Sequence, residues 1–313
     1  MGLLKADVVV IGGGAAGSMC ALTAAQRGLH VVLLEPNKML GKKLRITGKG
    51  RCNVTNHCDV KTILANIPGD GRFLYSALNR LGPQDTMALF ESLGVPLKTE
   101  RGNRVFPVSD HSSDVIRALE RLLQREGVKV HLHSSVKRVL EEDGQAVGLE
   151  LSDGKRIQAD SVIVATGGLS YPSTGSTGDG YRWAEATGHK VVACTPSLVP
   201  FVTEDTWCAK LQGLALKNVN LALYFDGKEI YQGFGEMLFT HFGVSGPVIL
   251  SASRHIILTI EEGYRLYIDL KPAMDEKKLD ARILRDFEKF ANKDFANALD
   301  ALLPQKLIPV IIR

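Results

Sequence analysis

Residues Ala6-Asp7-Val8-Val9-Val10-Ile11-Gly12-Gly13-Gly14-Ala15-Ala16-Gly17 decide the fold. A run of β-branched and apolar side chains ends directly on glycines, the pattern of a buried strand entering a tight turn. A small-residue segment from Ala15 to Arg27 has helical propensity, and Gly28 then leads into a second apolar run that closes on Leu34-Glu35. Strand, turn, helix and strand in that order predict an open α/β sheet.

Within this stretch, Gly12-x-Gly14-x-x-Gly17 satisfies the dinucleotide fingerprint. Gly12 permits the turn out of the strand, Gly14 keeps a Cβ out of the path of a pyrophosphate, and Gly17 lets the helix lie close on the sheet. The helix start offers N–H groups and a positive dipole end to phosphate. Glu35 falls about twenty residues on, where an acid accepts from an adenosine ribose. A glycine hexapeptide alone is weak evidence, but here the strand before it, the helix after it and the terminal acid agree. The same carboxylate would repel a 2′-phosphate, so FAD and NAD both remain.

Outward from Glu35, the loop Gly41 to Asn56 carries five cations and three glycines, including Lys43, Thr47, Gly48, Arg51 and Asn53. Such a loop suits an anionic cofactor with its backbone amides exposed; a solvated basic loop is the alternative. Val60 to Leu93 reads as amphipathic helices, with Phe73, Leu74, Ala77, Leu78 and Leu81 expected to face the core, and Met87, Phe90 and Leu93 repeating the pattern. Arg101-Gly102-Asn103 is bracketed as a hairpin, and Ser112 or Ser113 is placed to cap a helix running to about Gly127. Short strands at 128–132, 135–140, 146–151 and 156–158 are joined by Asp-Gly turns.

A second buried strand, Ala159 to Val164, ends on Ala165-Thr166-Gly167-Gly168 and brings its last backbone groups beside the first glycine turn. Helical periodicity stops after about Thr187, and short strands follow from Phe201, turning at Asp226-Gly227. From Pro272 the pattern is helical again. The expected division is 1–194 for dinucleotide binding, 195–271 for a β-rich domain and 272–313 for a small helical domain.

The 313 residues are 45% hydrophobic and 23% charged, ordinary values for a globular protein. A net charge of +4, evenly spread, argues against nucleic acid and membrane surfaces as partners. Five cysteines without a C-x-x-C pair, and no signal-like or bilayer-long apolar run, point to a reducing, cytoplasmic setting. No Cys/His cluster has metal-ligand spacing, so no metal is expected.

At these residues the chain resembles the YhiN/BaiN-like flavoproteins, also described as NAD(P)/FAD-dependent or aminoacetone-oxidase-like oxidoreductases. The likeness rests on the Gly12 fingerprint, Thr47 to Asn56, Arg104-Val105-Phe106-Pro107, Ala165 to Gly168 with Ser170-Tyr171-Pro172, and Leu238 to His241 through Ser245-Gly246-Pro247. The resemblance implies a glutathione-reductase-like FAD domain with an inserted β-barrel-like domain and a small helical domain. It implies that Gly12, Gly14, Ala15, Ala16, Gly17 and Glu35 hold the ADP half of FAD. Lys43, Thr47, Gly48 and Asn53 would lie further along the cofactor, Val136 by the adenine through its backbone, and Thr166 and Gly167 over the pyrophosphate. Such proteins continue past the helical unit and return a glycine-rich segment over the flavin, whereas this sequence ends at Ile312-Arg313 inside its helical pattern. Full flavin affinity and catalysis are expected to need that return.

With FAD bound, hydride moves between a substrate C–H and the flavin ring while the protein supplies orientation and charge. The expected substrate is a small amine, ketone or enone, with electrons exchanged with oxygen or with transiently docked NAD(P)H. Arg51 is the candidate cation at the flavin's pyrimidine edge, with pairing to a surface acid as its alternative role. Tyr171 and His241 are candidate acids or bases. The competing reading is a non-catalytic dinucleotide- or flavin-binding fragment that works through a partner. The sequence leaves oligomeric state open.

Overall fold

The computed structural model describes residues 4–67, 69–256 and 263–312. The chain divides into two compact units, Met1–Val192 and Ala193–Arg313. The helices past Pro272, expected as a third domain, fall within the second unit.

The first unit opens with β1 (Leu4–Ile11), α1 (Ala15–Ala25), β2 (Val31–Leu34) and α2 (Lys42–Ile46). Then come β3 (Thr55–Asn56), α3 (Val60–Ala65), α4 (Tyr75–Arg80), α5 (Pro83–Ser92), β4 (Leu97–Glu100), β5 (Arg104–Pro107) and α6 (Ser112–Arg125). It ends with β6 (Lys129–His131), β7 (Val136–Glu142), β8 (Gln145–Leu151), β9 (Arg156–Val164) and α7 (Asp179–Ala186). The main sheet has the order β6-β2-β1-β9-β8-β7, and β3-β5-β4 forms a separate small sheet.

Strands β6, β2, β1 and β9 are mutually parallel, and cover on both faces is why residues 8–11 of β1 and 31–34 of β2 are continuous apolar runs rather than alternating ones. Alternate residues of one strand serve opposite faces. Val8, Val10, Val31 and Leu33 pack with α1 and α6, while Val9, Ile11, Val32 and Leu34 join Leu149, Ile157 and Ala159 on the other side. The two short runs expected at 156–158 and 159–164 are one strand. Its first three residues pair antiparallel with β8, and nearly its whole length pairs parallel with β1.

Two expectations need correcting. Phe73, Leu74 and Leu81 are exposed, at 87%, 37% and 42%; periodicity determines which residues share a helix face, but not whether another layer covers that face. Ser112 and Ser113 do not cap α6. Its N-cap is His111, and the Ser112 hydroxyl donates instead to the Arg45 carbonyl at 3.3 Å.

The second unit contains β10 (Phe201–Val202), α8 (Trp207–Lys210), β11 (Ala215–Phe225), β12 (Lys228–Phe239), β13 (Gly243–Ser245) and α9 (Pro247–Ala252). It closes with β14 (Tyr264–Asp269), α10 (Glu276–Lys289), α11 (Phe295–Ala298) and α12 (Ile308–Ile311). Its sheet is antiparallel, in the order β10-β13-β12-β11-β14. Leu221, Leu223, Met237, Phe239, Ile249 and Leu307 anchor its core. Among the described residues no helix is long and apolar enough to cross a membrane, and no cluster could hold a metal ion.

Candidate cofactor site

The carboxyl ends of β1, β2 and β9 open into a cavity of about 380 Å³ within the first unit. Ligands of open α/β sheets sit at this edge. Gly12, Gly14, Ala15, Ala16, Glu35, Lys43, Thr47, Val136, Thr166 and Gly167 all line it. Gly17, Gly48 and Asn53 do not.

The glycines divide by purpose. Gly12 has φ +105°, and a Cβ there would lie 2.5 Å from the Ala165 carbonyl oxygen; a Cβ at Gly17 would overlap the Gly12 carbonyl. These two hold strand, turn and helix together. A Cβ at Gly14 would meet nothing within 4 Å. Gly14 is the N-cap of α1 and offers it no side-chain hydrogen bond, so the first amides of the helix face cavity space. That bare helix start, with room before it, fits a diphosphate.

Glu35 is buried at 7% exposure, directly after β2. Its Oε2 accepts from Gly13 N–H at 2.8 Å, and its Oε1 accepts from the backbone and side-chain nitrogens of Asn37 at 2.9 and 2.6 Å. His131 and Ser134 stitch this corner to the end of β6: Glu35 N–H donates to the His131 carbonyl and Ser134 N–H to the Glu35 carbonyl, both at 2.9 Å. The carboxylate is therefore oriented before any ligand arrives.

The loop between β9 and α7 closes one side. Lys43 Nζ donates to the Ser170 carbonyl at 2.8 Å and to Ser176 Oγ at 2.7 Å, while Lys42 Nζ reaches the Ser173 carbonyl at 2.5 Å. Gly167, at φ +77°, lets Ser176 approach to where a Cβ would be 2.6 Å from its hydroxyl. Lys42, Ser134, Ser135, Ser176, Asp179 and Trp183 also line the cavity, and sequence reasoning had singled out none of them. Gly178-Asp179-Gly180, opening a helix at the strand's exit, was the available signal for Asp179.

Arg51 lies elsewhere. Its Nη1 pairs with Glu100 at 2.8 Å and Asp110 at 3.3 Å, and its guanidinium sits 4.0 Å above the Phe106 ring. The Glu100 hydrogen bond raises its pKa further. Hydrogen bonding from Lys98, then Arg51, holds the Asp110 carboxyl below the usual range. Asn53, with its amide turned to donate, bonds the Val105 and Thr55 carbonyls at 3.1 and 3.0 Å and pins β3 to β5. Gly48 is left-handed, at φ +57°, under Phe106. Arg51, Gly48 and Asn53 thus brace the turn after Thr47.

Tyr171 is exposed and left-handed, at φ +52°, and its carbonyl accepts from Thr174 in the loop over the cavity. His241 belongs to the second unit, exposed and edge-on to Phe242. All five cysteines are free; Cys52 is buried, and burial pushes its thiol up, away from a reactive thiolate.

A family model described as the HI0933-like protein Rossmann domain matches residues 6–260. The chain belongs to that family. Among curated relatives, a 3-dehydro-bile acid delta(4,6)-reductase from Clostridium scindens is 32% identical over 97% of this chain and 74% of its own length. A ribosomal RNA dihydrouridine synthase from Escherichia coli is 30% identical over 96% of this chain and 72% of its own. A solved quinol-fumarate reductase with menaquinol molecules aligns with 90% of the chain at a TM-score of 0.51 and 16% identity, a likeness of fold alone. The chain spans 57% of that structure. As an HI0933-like protein it has a Rossmann FAD-binding domain and is an FAD-dependent oxidoreductase.

Proposed function

We propose that the chain reduces a carbon–carbon double bond conjugated to a carbonyl in a small organic molecule, using FAD held by the first unit. The observation that carries this reading is the open space before Gly14 beside the pre-oriented Glu35, in a chain so similar to a reductase of an unsaturated 3-oxo steroid acid. FAD, when bound, supplies the hydride chemistry. In this reading Gly12, Gly14, Ala15 and Ala16 take the pyrophosphate on backbone amides while Gly17 keeps the helix close against the turn, Glu35 takes the ribose, and Val136 borders the adenine with its backbone. Thr166 and Gly167 close over the pyrophosphate. Lys43 and Thr47 continue along the cofactor, with Gly48 and Asn53 shaping the turn that follows.

Arg51 acts through that turn, because its guanidinium is held by two carboxylates. Tyr171 and His241 are the candidate proton carriers. NAD(P)H is the proposed electron source, by transient docking, since the chain has no second strand-flanked fingerprint.

A second reading is reduction of a uracil ring in RNA, favoured by the 30% identity to the dihydrouridine synthase. Both named reactions concern a double bond conjugated to a carbonyl, so one site chemistry serves either. The purified protein, reduced anaerobically with NADH or NADPH, is challenged with a steroid dienone, a simple enone and an unmodified uridine-containing RNA, and the oxidised protein with an amine. Reoxidation by the enones alone supports the first reading and by RNA the second, while bleaching of the oxidised flavin by the amine supports neither. A protein that binds no FAD would instead favour a non-catalytic role through a partner.

A further inference from the structure

The Glu35 carboxylate is nearly saturated by its own chain. An ionised carboxylate offers about four acceptor positions, two on each oxygen. Oε1 takes both the backbone N–H and the side-chain amide of Asn37, and Oε2 takes the Gly13 N–H. One position remains, on Oε2.

Asn37 is not free to give up its place. Its Oδ1 accepts from Lys42 Nζ at 3.1 Å, which fixes the amide with its nitrogen toward Glu35, and that nitrogen also reaches the Thr174 carbonyl at 3.4 Å. Lys42 is anchored in turn on the Ser173 carbonyl. An ammonium has no acceptor capacity, so the direction of this relay cannot reverse.

From this geometry we infer that Asn37, held by Lys42, is a specificity-determining residue: it leaves Glu35 able to accept from one ribose hydroxyl of an adenine nucleotide and not from both. The inference rests on the reading that the cavity takes the ADP half of FAD. Removing the Asn37 side chain frees a position on Oε1 and makes the second hydroxyl legible.

The test uses the full chain loaded with FAD and follows flavin fluorescence as ADP, 2′-deoxy-ADP or 3′-deoxy-ADP displaces it. In the native protein one deoxynucleotide should need about tenfold more than ADP, and the other should match ADP within about twofold, the ratio expected for one hydrogen bond to a charged group. In Asn37→Ala both deoxynucleotides should fall behind ADP. Lys42→Met should shift the pattern the same way and Lys42→Arg should restore it; because Lys42 touches Glu35 only through Asn37, this pair carries the test if Asn37→Ala does not fold. Equal penalties for the two deoxynucleotides in the native protein, no penalty for either, or native discrimination retained in both Asn37→Ala and Lys42→Met would overturn the inference while leaving the cradle intact. Failure of ADP itself to displace FAD would overturn the cradle reading and the inference with it.

Discussion

Two glycine turns of the first unit face opposite demands. At Gly14 an added Cβ meets nothing within 4 Å, whereas at Gly48 it meets the Phe106 ring at 2.7 Å on a backbone already at φ +57°. The first turn is bare: no side chain caps α1, and cavity space stands before its amides. The second is packed and braced by Arg51, Glu100, Asp110 and Lys98. Glycine at one turn keeps space open for another molecule; at the other it lets the chain close on itself. The sequence puts both on the cofactor, Gly14 by its offset in the fingerprint and Gly48 by the family resemblance, and only packing separates them.

The sharpest way to break this contrast is Gly14→Val. Its side chain would occupy the space kept for pyrophosphate, so FAD affinity should fall about 100-fold or more, roughly 3 kcal/mol. The melting temperature without FAD should hardly move. Titration of FAD against native and variant protein checks it, and native affinity in the variant would dissolve the distinction between the turns.

Gly48→Ala should do the reverse. A left-handed alanine pressed on an aromatic ring should cost about 1–3 kcal/mol of stability, read from urea unfolding. Phe106→Leu in the same chain should recover part of that loss.

Arg51→Met comes next and is smaller, because the ion cluster is only half-buried. Its sign with pH follows from Asp110. The folded carboxyl titrates below its ordinary 3.8. The cluster's contribution is therefore complete above that value and is lost as pH falls through the folded pKa. Melting curves of native protein and Arg51→Met should differ at neutral pH and converge in acid; a gap that persists at the lowest pH would mean Arg51 acts by packing on Phe106 alone.

The smallest effect sharpens the picture of the closed turn. Exposed Cys194 should react with a thiol reagent first and Cys52 last, since Cys52 is 1% exposed and burial raises its pKa. Early labelling of Cys52 would mean that the braced turn opens readily.

Much of the first unit was legible beforehand. Val8 to Ile11 and Val31 to Leu34 read as buried strands because a parallel sheet covered on both faces needs apolar residues at every position. Val115, Leu119, Leu122 and Leu123 of α6 stand at the spacing of one helix face and are all within 4% exposure. Phe73 and Leu81 share the same kind of spacing and lie exposed, because spacing says nothing about whether a second layer exists. Among site residues, Gly12, Gly14 and Glu35 could be picked out through their fixed offsets. Lys42, Asn37, Ser176 and Trp183 could not, since no fixed offset ties them to the fingerprint and their side-chain direction decides whether they reach the cavity or its rim.

The sequence by itself determined the strand, turn, helix and acid that make a dinucleotide cradle, because backbone conformation and side-chain period are local properties. Tertiary structure alone decided that Arg51 pairs with Glu100 and Asp110, and that Lys42 and Lys43 tie down Ser173, Ser170 and Ser176. It also decided that Asn37 fills half of Glu35. Those partners lie far apart in the chain or depend on side-chain direction, and only packing tells a charged group which of many possible partners it meets.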